Sequence, residues 1–182
     1  VDLSTRQITR RPCPEEILHD YLGGRGLVAR LLLEHLPASV QPLDPENMLI
    51  ISAGLLGGSR MITTGRIHFG ARSPLTGLIG CSNGGGSFGA RLKACGILAL
   101  IVIGKAAEPV WIDIQGSRVT VHDAGPLWGL LTGEARNRIL ETVGDDRAGM
   151  ILIGPAGENL SSLGCVMTDL AHAAGRTGMG AV

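Results

Sequence analysis

The sequence predicts an α+β domain made of two related, sheet-rich halves. Short apolar runs with strand character outnumber helical stretches. They are mixed without the regular strand–helix–strand alternation of a doubly wound sheet. An internal echo supports two halves: Leu49 to Gly54 and Ile151 to Gly157 each carry an apolar strand into a glycine turn. Each is followed by a second apolar segment and a glycine-rich helix entry. At 182 residues the chain is long enough for one domain with a real core, and residues 1–182 are read as one unit.

The elements follow in order. Val1 to Ile8 alternates weakly and reads as a strand. Pro14 opens a short helix with Glu15 and Glu16 in its first turn, and Gly23 and Gly24 stop it. A second helix runs from Gly24 to Leu36, with Leu27, Leu31 and Leu32 on one face and Pro37 ending it. Met48 to Ala53 is a buried-strand run, residues 54–65 form a loop, and Arg66 to Arg72 alternates as a strand. Ser73 to Gly77 is a turn, and Ser82 to Gly89 is a glycine-rich loop before a short helix that ends near Gly96. Leu98 to Ile103, Val110 to Ile114 and Arg118 to His122 are strands, the last two joined by a hairpin turn at Gly116. Thr132 to Val143 is a helix, Met150 to Ile153 a strand, and Ser162 to Met167 another. The glycine-rich end after His172 leads into a helix.

Composition excludes several classes. Lys plus Arg and Asp plus Glu both number 16, so no bulk charge favours nucleic acid or an anionic membrane. The longest uninterrupted aliphatic run, Ile97 to Ile103, is too short to span a bilayer. The first residues carry no secretory signal pattern, so the cytoplasm is the expected location. Cys13, Cys81, Cys95 and Cys165 form no close ligand pair and are expected as buried free thiols. Only 18% of residues are charged and mean hydropathy is +0.27, so part of the surface is expected to be covered by more protein. Pairing of two copies through that bare face, a homodimer, is an outcome this composition allows.

Chemistry concentrates in the glycine-rich segments. Gly84 to Gly89 fits G-x-G-x-x-G, which in another context marks a dinucleotide site. The preceding Gly77 to Asn83 makes a poor central strand, and the regular βαβ repeat is missing. A second glycine-rich loop, Ala173 to Gly178, carries Arg176, and Arg66 follows the Thr63–Gly65 turn. Arginines beside bare glycine backbone suit phosphate groups, because the guanidinium fork matches phosphate oxygens and N–H groups complete the shell. The five histidines show no metal-ligand spacing, His68 is expected to be structural or solvent-facing, and Glu158 and Asp169 read as turn residues rather than an acid–base pair.

Seven ordered motifs carry a resemblance across the whole chain: Gly23 to Leu27, Pro42 to Asn47, Thr64 to Arg66, Ser73 to Gly77, Ser82 to Gly86, Gly154 to Leu160 and Ala173 to Gly178. Together they resemble the N-terminal domain of the aldehyde:ferredoxin oxidoreductases. The resemblance implies a base for two pterins that hold one tungsten, with a magnesium ion linking their phosphates. It carries Arg66, Asn83, Gly85, Ala173, Gly175 and Arg176 as cofactor contacts, with the main-chain carbonyls of Asn83 and Ala173 on the magnesium. It implies oxidation of an aldehyde substrate to a carboxylic acid, with electrons passing through a [4Fe-4S] cluster to ferredoxin. The cluster cysteines and acid–base groups would lie in C-terminal domains outside this chain, which alone is expected to be inactive. Val1 is read as starting inside a first strand and Val182 as ending inside a motif that continues. Three departures stand out: His172 replaces an arginine contact, Leu55 and Leu56 replace a Pro-Leu pair, and Ser59 to Ile62 is unusual. The alternative from another class is a stand-alone nucleotide- or ligand-binding module without redox activity.

Overall fold

The computed structural model describes residues 1–59 and 61–182. Arg60, part of the unusual Ser59–Ile62 segment, lies outside the described residues. Five α-helices, nine strands and two 3-10 turns make up these residues. In chain order they begin with α1 (Glu15–Tyr21), α2 (Gly24–His35), β1 (Leu49–Ala53), β2 (Ile67–Arg72), β3 (Ile79–Gly84) and α3 (Phe88–Ala94). Then come β4 (Ala99–Val102), β5 (Val110–Gln115), β6 (Arg118–Asp123), α4 (Thr132–Val143), β7 (Ile151–Leu152), α5 (Pro155–Glu158), β8 (Val166–Thr168) and β9 (His172–Ala174).

A four-stranded sheet ordered β3-β2-β1-β4 forms one half, and a three-stranded sheet ordered β7-β8-β9 forms the other, with β5-β6 as a separate hairpin. Every pairing between these strands is antiparallel, so the mixed α+β class holds. The echo is visible in the backbone: β1 runs into Gly54, and β7 runs through Ile153 into Gly154.

Register decides what each face of the larger sheet meets. Ile50 pairs with Gly70 and Ile101, and Gly70 with Cys81, so these residues share one face. Helix α2 covers it, packing Val28 and Leu32 on Ile50. Ile51 pairs with Phe69 and Leu100 on the other face. There Ile51, Ile67, Phe69 and Ala71 pack with Val166, Ala174 and Met179 of the second half. The main core is therefore the seam between the two sheets. Its apolar side chains alternate along β2, the period-2 pattern expected of a strand.

Gly70 shows how closely α2 sits. A Cβ there would collide with the Val28 side chain and come within 3.2 Å of Leu32 Cδ1. Gly70→Ala is expected to lift α2 and cost about 2 kcal/mol, the scale of overpacking a filled core. The check is a chemical denaturation curve; an unchanged midpoint would remove this helix contact from the account.

Four sequence expectations need correction. Val1 to Ile8 makes only one bridge, Asp2 with Ile103, and no strand. Four residues after β9 and a 3-10 turn at Met179–Ala181 replace the expected helix entry. Gly77 to Asn83 is read from the sequence as a poor central strand and not placed among the strands; Ile79–Gly84 is not central, but it does form the edge strand of the larger sheet. An edge tolerates glycine because only one side of the ladder is paired. The cysteines are free, but Cys13 is exposed and the other three are half-buried. Among the described residues, no helix is long and apolar enough to cross a membrane.

Candidate functional site

The two glycine-rich segments meet where the sheets meet. Asn83 and Gly84 end β3, while His172 to Ala174 form β9, antiparallel to β8. A Cβ on Gly84 would lie 2.9 Å from Thr168 Oγ1 and 3.8 Å from the Ala174 nitrogen. Glycine at this position leaves room for the Thr168 side chain. Thr168, fully buried, donates its hydroxyl to the Gly85 carbonyl at 2.9 Å. The Ser82 hydroxyl accepts from the Arg176 nitrogen at 3.4 Å. Asn83 and Arg176 thus sit on adjoining segments, with Asn83 in a strand rather than the expected loop.

Asp169 fastens this junction. Its Oδ2 accepts the Ser87 N–H at 2.5 Å and its Oδ1 accepts the Met150 N–H at 2.9 Å. Asp169 and Leu170 both have positive φ, 49° and 60°, a conformation that costs free energy outside glycine. The bend aims the carboxylate across the seam. A Cβ on Gly86, itself at φ 94°, would reach within 2.6 Å of Asp169 Oδ2. Asp169 is therefore a turn residue, as its sequence context implied, but its partners are 82 and 19 residues away. No local sequence signal reports such pairings.

The dinucleotide reading of Gly84 to Gly89 fails on the same atoms. The strand before it is an antiparallel edge strand, not the central parallel strand of a Rossmann unit. The N–H at the entry of α3, where a pyrophosphate would dock, already holds the Asp169 carboxylate. Glu158 staples a turn, accepting the Gly129 N–H at 2.9 Å. Among the described residues, no three His, Cys, Asp or Glu side chains group as a metal centre.

The remaining polar groups line the rim. Arg66 donates from Nη1 to Asn83 Oδ1 at 2.8 Å. Arg66, Asn83, Ala173, Gly175 and Arg176 are exposed, and Gly85 is half-buried. Among the described residues, neither Arg66 nor Arg176 enters an ion pair. The His172 ring lies over Gly85: a Cβ there would stand 3.1 to 3.2 Å from three of its ring atoms. The expected cradle residues are brought to one end of the seam. Two neighbours were not singled out as site residues from the sequence. Arg25 stands at the start of α2; burial pushes the Cys81 thiol pKa up, and the Arg25 charge acts in the opposite direction. His68, paired across the strands with Asn83, has its pKa lowered by burial first and then by the Arg25 and Arg66 charges. The residue is half-buried, with its Nδ1 buried and without a hydrogen-bond partner.

Fold and rim define a class: a mixed helix and antiparallel-sheet domain whose glycine-rich seam presents, among the described residues, arginines outside any ion pair. The chain belongs to the family described as aldehyde ferredoxin oxidoreductase, N-terminal domain, which matches residues 1–182. It is 44% identical over all 182 residues to the tungsten-containing aldehyde ferredoxin oxidoreductase of Pyrococcus furiosus, and 42% identical to that of Thermococcus kodakarensis. It is 32% identical to the WOR-like subunit of an aliphatic sulfonate oxidoreductase of Pyrococcus furiosus. A solved structure of the active site complex BamBC of benzoyl coenzyme A reductase, bound to 1,5-dienoyl-CoA, superposes with TM-score 0.96 at 34% identity. That match covers 100% of this chain and 28% of the other. The chain spans about 30% of the length of the two aldehyde ferredoxin oxidoreductases.

Proposed function

We propose that this chain is the cofactor-binding base of a tungsten-pterin enzyme that oxidises aldehydes to carboxylic acids, with ferredoxin as electron acceptor, in the cytoplasm. The observation that carries this reading is the glycine-bared seam flanked by Arg66 and Arg176, neither of them ion-paired among the described residues. These residues fit a phosphorylated cofactor. Gly85 and Gly175 keep side chains off the backbone, and the two guanidinium groups supply charge-assisted donors. Main-chain carbonyls of Asn83 and Ala173 are hard oxygen ligands suited to magnesium. Arg66, bonded to the Asn83 side chain, holds that residue in place beside the rim. When bound, the tungsten centre supplies the two-electron redox chemistry, which no side chain of this chain can supply.

The reading places the [4Fe-4S] cluster and the acid–base groups outside these 182 residues. All four cysteines are free, and none belongs to a ligand group among the described residues. The chain alone would then be inactive, because a half-built site loses most of the burial that holds a ligand. Exposed apolar side chains such as Ile62, Leu78 and Leu163 fit a surface that C-terminal domains cover.

The test is tungsten and pterin content per protein after purification of the enzyme that carries this chain. Arg66→Ala and Arg176→Ala are each expected to weaken retention about 10- to 100-fold, since a charged hydrogen bond contributes roughly 1.5–3 kcal/mol. His172→Arg is expected to raise retention, because a permanent fork replaces an imidazole next to Ala173. Wild-type content in both alanine variants would remove these arginines from the site.

A further inference from the structure

The backbone that delivers Arg66 to the rim is held from behind. It leaves β1 at Gly54 and enters β2 at Ile67. On the way it comes close to α3 and to the glycine-rich segment before it. A Cβ on Gly58 would stand 3.6 Å from the Ala90 Cα, and one on Gly65 would come within 2.9 Å of the Gly86 carbonyl oxygen. Gly89, in the first turn of α3, faces the Arg66 carbonyl oxygen, which lies 3.9 Å from the place of an added Cβ. Glycine leaves room for these approaches.

One side chain of α3 fastens the exit from β1. Lys93 Nζ donates to the Leu55 carbonyl at 2.5 Å and to the Gly54 carbonyl at 3.4 Å. Its stem passes Gly57, where a Cβ would stand 3.7 Å from Lys93 Cδ. The Gly54 N–H donates in turn to the Arg66 carbonyl at 3.3 Å. Arg66 Nη1 donates to Asn83 Oδ1 at 2.8 Å, and the chain runs from Asn83 through the glycine-rich segment back into α3. The bonds close a ring from α3 through Lys93, Gly54, Arg66 and Asn83 to α3 again.

The ammonium meets carbonyls rather than a carboxylate. Lys93 is half-buried and, among the described residues, enters no ion pair. A charge drawn partly out of water costs free energy unless its donors are satisfied. Two of its three donors are spent on main-chain oxygens at the end of β1. Bonds from a charged donor are shorter and stronger than neutral ones, so this contact fixes the turn more firmly than a backbone bond alone.

We propose that Lys93 is a positioning residue for the cofactor site: by holding the Gly54 and Leu55 carbonyls it fixes the turn that anchors Arg66. The inference rests on the cofactor reading above, and Lys93 acts on the ligand only through Arg66. A guanidinium whose backbone is already fixed loses less freedom when it binds, which is the source of the gain.

Two measurements on the enzyme that carries this chain test the assignment. The first is hydrogen exchange at the Gly54, Gly57 and Ser59 amides, all of them hydrogen-bonded. Lys93→Met, which keeps the stem and removes the donors, is expected to speed their exchange about fivefold and to leave α4 unchanged. The second is tungsten and pterin retention. Lys93→Met is expected to weaken it about fivefold, less than Arg66→Ala, because the guanidinium remains and only its placement loosens. Added to Arg66→Ala, the same substitution is expected to change retention by less than about twofold, since nothing is left to position. Unchanged exchange at the three amides, exchange that rises equally in α4, or a fivefold loss that repeats in the Arg66→Ala background would overturn the assignment. The cofactor reading fails by a separate result, wild-type content in both Arg66→Ala and Arg176→Ala.

Discussion

Asp169→Ala is expected to loosen the seam and to strip the cofactor from the enzyme in one step. The carboxylate accepts two backbone N–H groups, Ser87 from the first half and Met150 from the second. Hydrogen bonds to a charged acceptor contribute roughly 1.5–3 kcal/mol each. Both bonds are only partly buried, so water recovers part of the loss, and the net cost is about 3 kcal/mol. The geometric effect reaches further than the energy. Ser87 follows Gly85 and Gly86, and Asp169 precedes the turn to His172 and Ala173. Without the carboxylate, the two segments that carry the rim are held mainly by Thr168 and Ser82. Asp169→Asn separates charge from geometry: its amide oxygen can satisfy one N–H, but its NH2 faces the other as donor against donor. Unfolding curves and tungsten content are measured on both variants. Wild-type stability in Asp169→Ala would show that the two bonds contribute nothing to the seam.

Phe69→Ala is expected to produce the larger loss of stability, about 4 kcal/mol, with no direct contact to the rim. Phe69 is fully buried, the largest such side chain among the described residues. It stands on β2 and packs with Val166, Ala174 and Met179 from the second half. Truncation removes the transfer energy of the ring and leaves a cavity that the sheets cannot close, since backbone ladders fix both walls. At this chain length, 1 kcal/mol corresponds to about 2–4 °C in Tm, so a drop of about 12 °C is expected by calorimetry. Phe69→Leu refills most of the volume and is expected to recover more than half of the loss. A shift below 3 °C in the alanine variant would mean that the seam is not the main core.

Helix α4 was legible to the residue. Glu134 at the third helical position returns a bond to the Leu131 N–H at 3.2 Å, and Gly144 closes the helix at φ 71°. The hairpin of β5 and β6 was legible too, because Gly116 and Ser117 separate two alternating runs that pair Gln115 with Arg118. These elements are written in local chemistry: propensity, caps and turn residues within a few positions. The edge strand β3 was not. Its run of Gly80, Cys81, Ser82 and Asn83 has little strand propensity, and it forms because β2 offers six consecutive pairing partners. Helix α5 escaped for the opposite reason. Four residues are too few to show a period, and its Gly157 is fixed by contact with Gly180.

The sequence by itself determined the fold class, the positions of most elements and the family, because apolar period, glycine turns and ordered motifs are properties of neighbouring residues. It also placed Arg66 and Arg176 beside bare backbone, since an arginine next to a glycine turn is visible in one dimension. Tertiary structure alone decided which groups share a space. It brought Asp169 onto Ser87, laid the His172 ring over Gly85, and paired His68 with Asn83. The reason is physical: these contacts join residues from 15 to 87 positions apart, one of them through strand pairing. Strand register is fixed only when burial of Ile51, Ile67 and Phe69 against the second sheet selects one pairing over its shifted alternatives.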